Sequence, residues 1–390
     1  MPLRYLTAGE SHGLALIAIL EGMPAGLSLP NEVVDHELAR RQKGYGAGAR
    51  MKIENDRAEI LSGVMAGVTT GAPLAFMIQN RDHVKWQDKA IDPFTVPRPG
   101  HADLTAAIKY GYTDLRLSLE RASARETAAR VAVGAVCKHF LRQFGITVGG
   151  YVASLGEVEA EFADAAFDKR IATAETNEVR CPAQTSVDAF TEKIKATMQA
   201  RDTLGGIIEI VVQGLPVGLG SHVQWDRRIE ARLSAAVMSV QAMKGVEIGD
   251  GFANTRLPGT QAQDQIYLEG EEIVRKTHRS GGVEGGITNG APLILRAAMK
   301  PIATTLTPQN SVDLATGQET KTQYERSDFC PVPRAVPILE AVVAYILADA
   351  LLEKLGGDQL VVLQERFEKL PKARLGDIRL GNQAQTWWPT

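Results

Sequence analysis

The chain repeats itself, and the repeat constrains its fold more than any single motif does. Glu21-Gly22-Met23-Pro24-Ala25-Gly26-Leu27 is echoed by Gln213-Gly214-Leu215-Pro216-Val217-Gly218-Leu219. Gly63-Val64-Met65-Ala66-Gly67-Val68-Thr69-Thr70-Gly71-Ala72-Pro73-Leu74 is echoed by Gly282-Val283-Glu284-Gly285-Gly286-Ile287-Thr288-Asn289-Gly290-Ala291-Pro292-Leu293. Between these landmarks both copies carry a helix-like stretch ending in Lys-Gly, at Lys43-Gly44 and Lys244-Gly245. Landmarks recurring in one order argue for a duplicated structural unit rather than chance likeness among glycine-rich loops. Ala15 to Leu20 and Ile207 to Val212 are β-rich runs stopped by a Gly-x-Pro turn. Val33 to Gln42 and Ile229 to Met243 read as helices ending at glycine. Leu74, Phe76 and Ile78 alternate as a strand does, as do Leu293 and Leu295. The expectation is an α/β (α+β) fold with two β-α-β-type halves, about 10–80 and 207–300, inside a single domain spanning 1–390.

Two long helices complete the pattern. Ser123-Ala124-Arg125-Glu126 is a capping-box signature ahead of Val133, Val136, Cys137, Phe140, Leu141 and Phe144, which share one helical face. A second helix is expected from near Pro337 to Gly356-Gly357. Residues 157–203 are more polar and less patterned, which predicts a peripheral insertion, and the tail from Gln383 to Thr390 is expected to be mobile.

Charge excludes some partners. Lys+Arg 43 against Asp+Glu 46 gives 43 − 46 = −3, without the basic excess of a dedicated nucleic-acid binder. Uninterrupted apolar runs such as Leu14 to Leu20 and Ala341 to Ala348 fall far short of a bilayer span, so no membrane partner is expected. The N-terminus lacks the pattern of a secretory signal. Cys137, Cys181 and Cys330 lack C-x-x-C spacing, so no disulfide framework or metal site is expected, and the cytoplasm is the default location.

Four segments hold residue types suited to chemistry. Gly9-Glu10-Ser11-His12-Gly13 sets a hydroxyl and an imidazole between glycines, where backbone can approach a ligand; a tight turn with a solvated histidine reads equally well. Arg98-Pro99-Gly100-His101-Ala102-Asp103 gathers a cation, a histidine suited to proton transfer near neutrality and a carboxylate, or forms an exposed Pro-Gly turn. Arg121-Ala122-Ser123-Ala124-Arg125-Glu126-Thr127 pairs a helix N-terminus with two guanidiniums, a ready anion site or a capped helix with solvated arginines. Lys300-Pro301-Ile302-Ala303-Thr304 with Glu325-Arg326-Ser327-Asp328 offers a polar site near an aromatic ligand, or surface ion pairs. No P-loop, complete dinucleotide fingerprint, zinc-ligand spacing or G-x-S-x-G elbow is present.

Taken together with Lys244-Gly-Val-Glu-Ile-Gly249, Gly285-Gly-Ile-Thr-Asn-Gly290 and Arg326-Ser-Asp328, these segments resemble the chorismate synthase family over nearly the whole chain. The resemblance implies a β-α-β sandwich with internal pseudo-two-fold symmetry, assembled as a homotetramer. It implies a lyase of the shikimate pathway that eliminates phosphate from 5-enolpyruvylshikimate 3-phosphate in a 1,4-anti sense to give chorismate. It also implies a requirement for reduced FMN, with NADPH as a flavin reductant in some members; whether this chain reduces its own flavin stays open.

Carried over by motif position, His12 protonates the departing phosphate, His101 stabilises the reduced flavin anion, and Asp328 acts as base near flavin N5. The implied FMN contacts are Arg121, Ala122, Ser123, Gln241, Ala242, Gly285, Lys300, Pro301, Ile302, Ala303, Thr304 and Arg326. Ser11, Arg41, Ala47 and Arg125 fall in the implied substrate and NADP region, with Arg41 on an anionic rim. Three positions depart from the family pattern: Ala47 in place of arginine, Ala122 in place of serine and Gln241 in place of asparagine. Ala47 bears on substrate affinity, unless Arg50 supplies the missing charge. The competing readings are an NAD(P)-dependent oxidoreductase, resting on loose glycine loops such as Gly44-Tyr45-Gly46-Ala47-Gly48, and a catalytically silent homologue that binds flavin or phosphorylated ligands.

Overall fold

Apolar residues at alternate positions put one face of each central strand into the interior. In the strand Ala15–Glu21, Leu16, Ala18 and Leu20 are buried, and in Leu74–Gln79 so are Leu74, Phe76 and Ile78. The structure is a computed structural model that describes residues 2–47, 55–161, 165–325 and 327–388. Among the described residues, strands form a four-stranded sheet in the order Arg4–Ala8, Ala15–Glu21, Leu74–Gln79, Glu59–Ser62. A five-stranded sheet runs Met243–Ile248, Leu293–Met299, Gly206–Gln213, Thr147–Leu155, Val158–Glu159. Neighbouring strands in both are antiparallel, and the protein is of mixed helix-and-sheet class.

The two repeated segments make the same contacts. Leu20 pairs with Leu74 in one sheet, and Val212 with Leu293 in the other. The Thr69 hydroxyl donates to the Pro24 carbonyl at 2.6 Å and accepts from the Leu27 amide at 3.0 Å. The Thr288 hydroxyl donates to the Pro216 carbonyl at 2.7 Å and accepts from the Leu219 amide at 2.9 Å. Gly63 and Gly282 take φ of +84° and +85°, and a Cβ there would lie 2.7 Å from the Pro73 oxygen and 2.4 Å from the Pro292 oxygen. Only glycine tolerates that turn.

The helix Val332–Leu355 lies at the centre. It packs on Thr127–Arg142, Ile229–Met238 and Asn31–Gln42 and on the strands Thr147–Leu155 and Gly206–Gln213. Thr127–Arg142 in turn packs on Ala15–Glu21 and Leu74–Gln79 of the other sheet. A Cβ on Gly134 would sit 2.2 Å from that of Ala341, so the two helices approach backbone to backbone there. Val332–Leu355 is long and apolar enough to cross a membrane by length and composition, but 83% of its most apolar window is buried against the rest of the protein. Its hydrophobic surface is already used.

Between these helices lies an ionic network that is completely buried at Glu340 and reaches the surface at Glu175. Glu340 accepts from Arg40 at 2.6 and 3.0 Å and from Lys138 at 2.6 Å. Glu37 accepts from Arg40 at 2.5 Å and from Lys138 at 2.9 Å. Glu175 accepts from Arg40 at 2.5 Å and from Arg180, whose guanidinium also donates to the Arg40 carbonyl at 3.0 Å. Burial raises the Glu37 carboxyl, but Lys138, His36 and Arg40 outweigh it and hold it far below the usual carboxylate range.

Four details differ from expectation. The helix expected over Ile229 to Met243 ends at Met238, and Met243 opens a strand. Val237, Val240 and Met243 are all buried at helical spacing, yet Ala242 takes φ +67°, which a right-handed helix cannot accommodate. The helix expected near Pro337 begins at Val332, with Pro333 in the first turn, where the missing N–H costs nothing. Ser123 caps a single 3-10 turn, Ala124–Glu126, accepting from the Arg125 amide; Glu126 does not return the bond but pairs with Arg130 at 2.7 Å. The segment expected as a peripheral insertion contains the helices Phe167–Glu175 and Val187–Gln199, with Phe190 and Ile194 fully buried.

Candidate functional site

Loops and helix ends from distant parts of the chain converge on one cavity of about 640 Å³. The loop between Arg4–Ala8 and Ala15–Glu21 delivers Ser11 and His12, and the approach to helix Asp103–Tyr110 delivers Arg98 and His101. The junction of Arg116–Ala122 with Thr127–Arg142 delivers Ala122, Ser123 and Arg125. Gln241 and Ala242 come from the turn after Ile229–Met238, and Lys300, Ile302, Ala303 and Thr304 from the chain leaving Leu293–Met299. Arg41 closes helix Asn31–Gln42, and Asp328 and Arg334 flank the start of Val332–Leu355. Leu119, Met299 and Ile338 add apolar wall.

Each histidine at this cavity is held by a carboxylate at Nδ1. His12 Nδ1 lies 2.7 Å from Glu120 Oε1, while its backbone N–H donates to Glu120 Oε2 at 2.8 Å. The Trp86 ring lies against the imidazole, with centroids 4.2 Å apart. His101 Nδ1 lies 2.6 Å from Asp103 Oδ1, and Arg98 binds the same carboxylate from Nε at 2.8 Å and Nη2 at 3.0 Å. Burial raises both carboxyls, but hydrogen bonds from His12 hold Glu120 below the usual carboxylate range, and those from His101 and Arg98 hold Asp103 well below it.

The cations are arranged around shared acids. Asp56 accepts from Arg125 at 2.6 Å and from Arg41 at 3.3 Å. Arg125 also donates to Asn80 Oδ1 at 2.8 Å, and Arg41 to Thr127 Oγ1 and the Ala124 carbonyl, both at 3.0 Å. Burial lowers the Arg41 pKa, Asp56 opposes that, and Arg334 and Arg125 add to it; the result is about 9, so Arg41 stays charged at neutral pH. Arg334 pairs with Asp328 and donates to the Arg41 carbonyl at 3.2 Å. Lys300 differs: it donates to the Gly100 carbonyl at 3.0 Å, and among the described residues no carboxylate pairs with it. It is an uncompensated positive charge at the cavity wall, suited to an anion.

Two polar details complete the wall. Ser11 Oγ donates to Ser123 Oγ at 3.0 Å. Gln241 Nε2 donates to Glu126 Oε1 at 3.0 Å, while Gln241 Oε1 is buried without a donor among the described residues.

Most of the sequence-derived residues therefore meet: Ser11, His12, Arg41, His101, Ala122, Ser123, Arg125, Gln241, Ala242, Lys300, Ile302, Ala303, Thr304 and Asp328. Arg41, expected on a rim, is 3% exposed and forms an inner wall. Arg121 is exposed and turns the other way, donating to the carbonyls of Gly9 at 3.2 Å and Thr7 at 3.0 Å. Pro301, Gly285 and Ala47 do not line this cavity. Gly285 sits in the hairpin of Val283–Glu284 and Ile287–Asn289, and half-buried Ala47 follows Gly46, whose carbonyl accepts from Phe329 N–H at 3.0 Å. Arg326 and Arg50 lie outside the described residues. Glu120, Asp56, Trp86 and Arg334 were not singled out by sequence reasoning. The partners of Glu120, Asp56 and Trp86 are distant in the chain, Arg334 pairs with Asp328 six residues before it, and no spacing pattern marks any of the four. Among the described residues no group of three or more metal-ligating side chains stands where it could hold an ion.

Comparison with known proteins shows the family of the chain. The family model described as chorismate synthase matches residues 3–352. The chain belongs to the chorismate synthase family. It is 52% identical over 384 residues to the chorismate synthase of Aquifex aeolicus, covering 94% of this chain and 96% of that protein. With that of Chlorobaculum tepidum it shares 50% over 387 residues, covering 94% and 97%. A solved structure titled "Crystal Structure of Chorismate Synthase" superposes with a TM-score of 0.78 at 44% identity, covering 94% of this chain and 97% of that one. The activity is thus that of chorismate synthase, a carbon–oxygen lyase, and the NAD(P)-dependent oxidoreductase reading is not favoured.

Proposed function

We propose that the cavity binds 5-enolpyruvylshikimate 3-phosphate together with reduced FMN, and that its residues carry out the 1,4-anti elimination of phosphate that yields chorismate. The observation carrying this reading is the convergence of Arg41, Arg98, Arg125, Arg334 and Lys300 with two histidine–carboxylate pairs around one largely apolar cavity. A substrate with two carboxylates and a phosphate, beside a flavin phosphate, needs such a concentration of cations in a protein of net charge −3. The residues present also fit a flavin. The volume, about 640 Å³, suits a cofactor with its substrate, and the apolar walls suit a ring system. Gln241 Oε1 is a buried acceptor lacking a donor among the described residues, and an isoalloxazine imide N–H is a donor of that kind.

When bound, the reduced flavin supplies electron density to the breaking allylic system and takes a hydrogen equivalent back, with no net redox change. The protein's own residues do the rest. Lys300 and the arginines bind and orient the anionic groups and neutralise charge on the leaving phosphate. His12, held at Nδ1 by Glu120, gives a proton from its other nitrogen to that phosphate. His101, held by Asp103, stabilises negative charge on the flavin. Asp328, placed by Arg334, serves as the base. Ala122, Ser123, Gln241, Ala242 and the run from Lys300 to Thr304, apart from Pro301, contribute flavin contacts; Arg121, Pro301 and Gly285 are not carried into this set. Burial of both ligands excludes water and oxygen.

The same reading extends to architecture. We infer a single domain in which helices fill a β-α-β sandwich and the halves are related by a pseudo-two-fold repeat; the matching registers and threonine hydrogen bonds support it. Assembly as a homotetramer and a cytoplasmic location follow the family resemblance, and the buried, unpaired cysteines suit a reducing compartment. NADPH as flavin reductant is part of the proposal only as a source of electrons. The test is an anaerobic assay of chorismate release with chemically reduced FMN. Turnover supports the reading, and flavin binding without chorismate release would leave a catalytically silent homologue.

A further inference from the structure

Glu120 stands apart from the other acids of the cavity because both its oxygens serve one residue. Oε1 meets the His12 ring at Nδ1 (2.7 Å), Oε2 accepts the His12 backbone N–H (2.8 Å), and the Glu120 carbonyl accepts the Ser11 N–H at 3.1 Å. Three hydrogen bonds thus tie a glycine-flanked loop to the last turn of helix Arg116–Ala122, across 108 residues of chain. The Trp86 ring, itself under the Arg116 guanidinium at 5.5 Å, closes one face of the imidazole. Backbone, ring plane and one ring nitrogen are all specified from outside the loop.

We propose that Glu120 is the positioning residue for His12: its carboxylate keeps a proton on Nδ1 and so dedicates Nε2 to exchange with the ligand. A carboxylate cannot donate, so the short contact at Nδ1 requires that nitrogen to carry the hydrogen whether the ring is neutral or charged. Without that acceptor a neutral imidazole is free to place its hydrogen on either nitrogen, and the loop is free to turn the ring. At His101 the carboxylate does not act alone: Asp103 Oδ1 lies 2.6 Å from Nδ1, but Arg98 Nη2, a donor, lies 3.0 Å from the same nitrogen and shares the carboxylate, whereas Glu120 gives both oxygens to His12.

The kinetic side of this inference rests on His12 acting as proton donor, so the test has a readout that needs no turnover. Solid-state 15N NMR of the histidine-labelled full chain, at a pH where the ring is neutral, with the His12 signal identified by its loss in His12→Gln, reports which nitrogen is protonated. The wild type should show the Nδ1–H form and Glu120→Ala should shift toward Nε2–H; a wild-type ring protonated on Nε2 overturns the proposal. In the reduced-flavin assay, Glu120→Gln should lower kcat by about tenfold to a thousandfold, with KM and FMN affinity unchanged, and Glu120→Asp should recover part of it. Wild-type kcat in Glu120→Gln also overturns it. A purely structural Glu120 would change the yield or unfolding midpoint and leave kcat per folded site and the tautomer alone. If His12→Ala keeps its turnover, the proton-donor reading fails by itself, and the tautomer then decides Glu120: Nδ1–H supports the positioning role and Nε2–H refutes it.

Discussion

Substituting Glu340 by glutamine tests whether the ionic network between the helices is balanced as described. Its carboxylates are Glu37, Glu175 and Glu340, and the cations hydrogen-bonded to them are Arg40, Lys138 and Arg180, so the hydrogen-bonded charges cancel; half-exposed Arg142 reaches Glu37 only at 4.0 Å. Glu340 is completely buried and accepts three hydrogen bonds, two of them on Oε2. An amide has one acceptor oxygen, so Glu340→Gln must turn its NH2 toward Arg40 or Lys138, donor against donor. It also leaves one unit of positive charge uncompensated. Breaking a buried pair in this way costs about 3–5 kcal/mol, because the remaining charge stays out of water. Lys138→Met in the same chain removes the surplus cation and restores the balance, so the double variant should lose less stability than the sum of the two single losses by about 0.5–3 kcal/mol, the range for coupled neighbours. Equilibrium urea unfolding of the wild type, both single variants and the double variant closes the cycle. Strict additivity, or a Glu340→Gln loss below about 1 kcal/mol, would refute the account of a charge-balanced cluster.

Acid should act on the same cluster. The folded state holds Glu37 and Glu340 below their ordinary value of 4.5, so their contribution is complete above that pH and is lost as pH falls toward the folded values; the stability gap between wild type and Glu340→Gln should narrow in urea titrations run at successively lower pH. Lys300→Met should raise the substrate KM by about 10–100-fold, the equivalent of about 1.5–3 kcal/mol for a charge-assisted hydrogen bond, with a smaller change in kcat; an unchanged KM in steady-state kinetics removes Lys300 from anion binding. His101→Ala should alter the absorption spectrum of bound reduced flavin while His12→Ala should not, and the reverse pattern would exchange the two roles. Ala242→Gly, at φ +67°, should stabilise the protein by about 0.5–1 kcal/mol in thermal or urea unfolding, because glycine occupies that region without strain.

The local grammar of the chain was readable in advance wherever periodicity and turn chemistry act over a few residues. The strands at Ala15–Glu21 and Leu74–Gln79 follow from alternation, and Gly356, at φ +59°, ends the central helix where glycine suggested it would. Proline misled at Val332–Leu355 because a proline in the first turn and another one turn later are both tolerated, and the start was placed at the wrong one. The cavity residues came largely from family likeness, whereas the groups that orient them did not. Glu120 and Arg121 are adjacent, and a helix turns about 100° per residue, so one reaches His12 while the other reaches Thr7 and Gly9. Which of two neighbours faces the cavity depends on how the helix is rotated against its support, and no short motif encodes that. Asp56, between Arg41 and Arg125, is hidden for the same reason: the acid that balances two arginines can come from any segment that packs beside them.

The contact between Trp86 and His12 gives the molecule an optical property. Of its four tryptophans, Trp225, Trp387 and Trp388 are 79%, 73% and 88% exposed. Trp86 alone is half-buried at the cavity, its indole 4.2 Å from an imidazole. Exposed indoles emit at long wavelength and respond little to events inside a protein. A shielded indole emits further to the blue, is quenched by a charged imidazole at contact distance, and passes its excitation to any flavin beside it. Replacing the three exposed tryptophans by phenylalanine leaves a full-length chain with one tryptophan, placed beside His12 where its emission tests the proposed occupation of the cavity by a flavin.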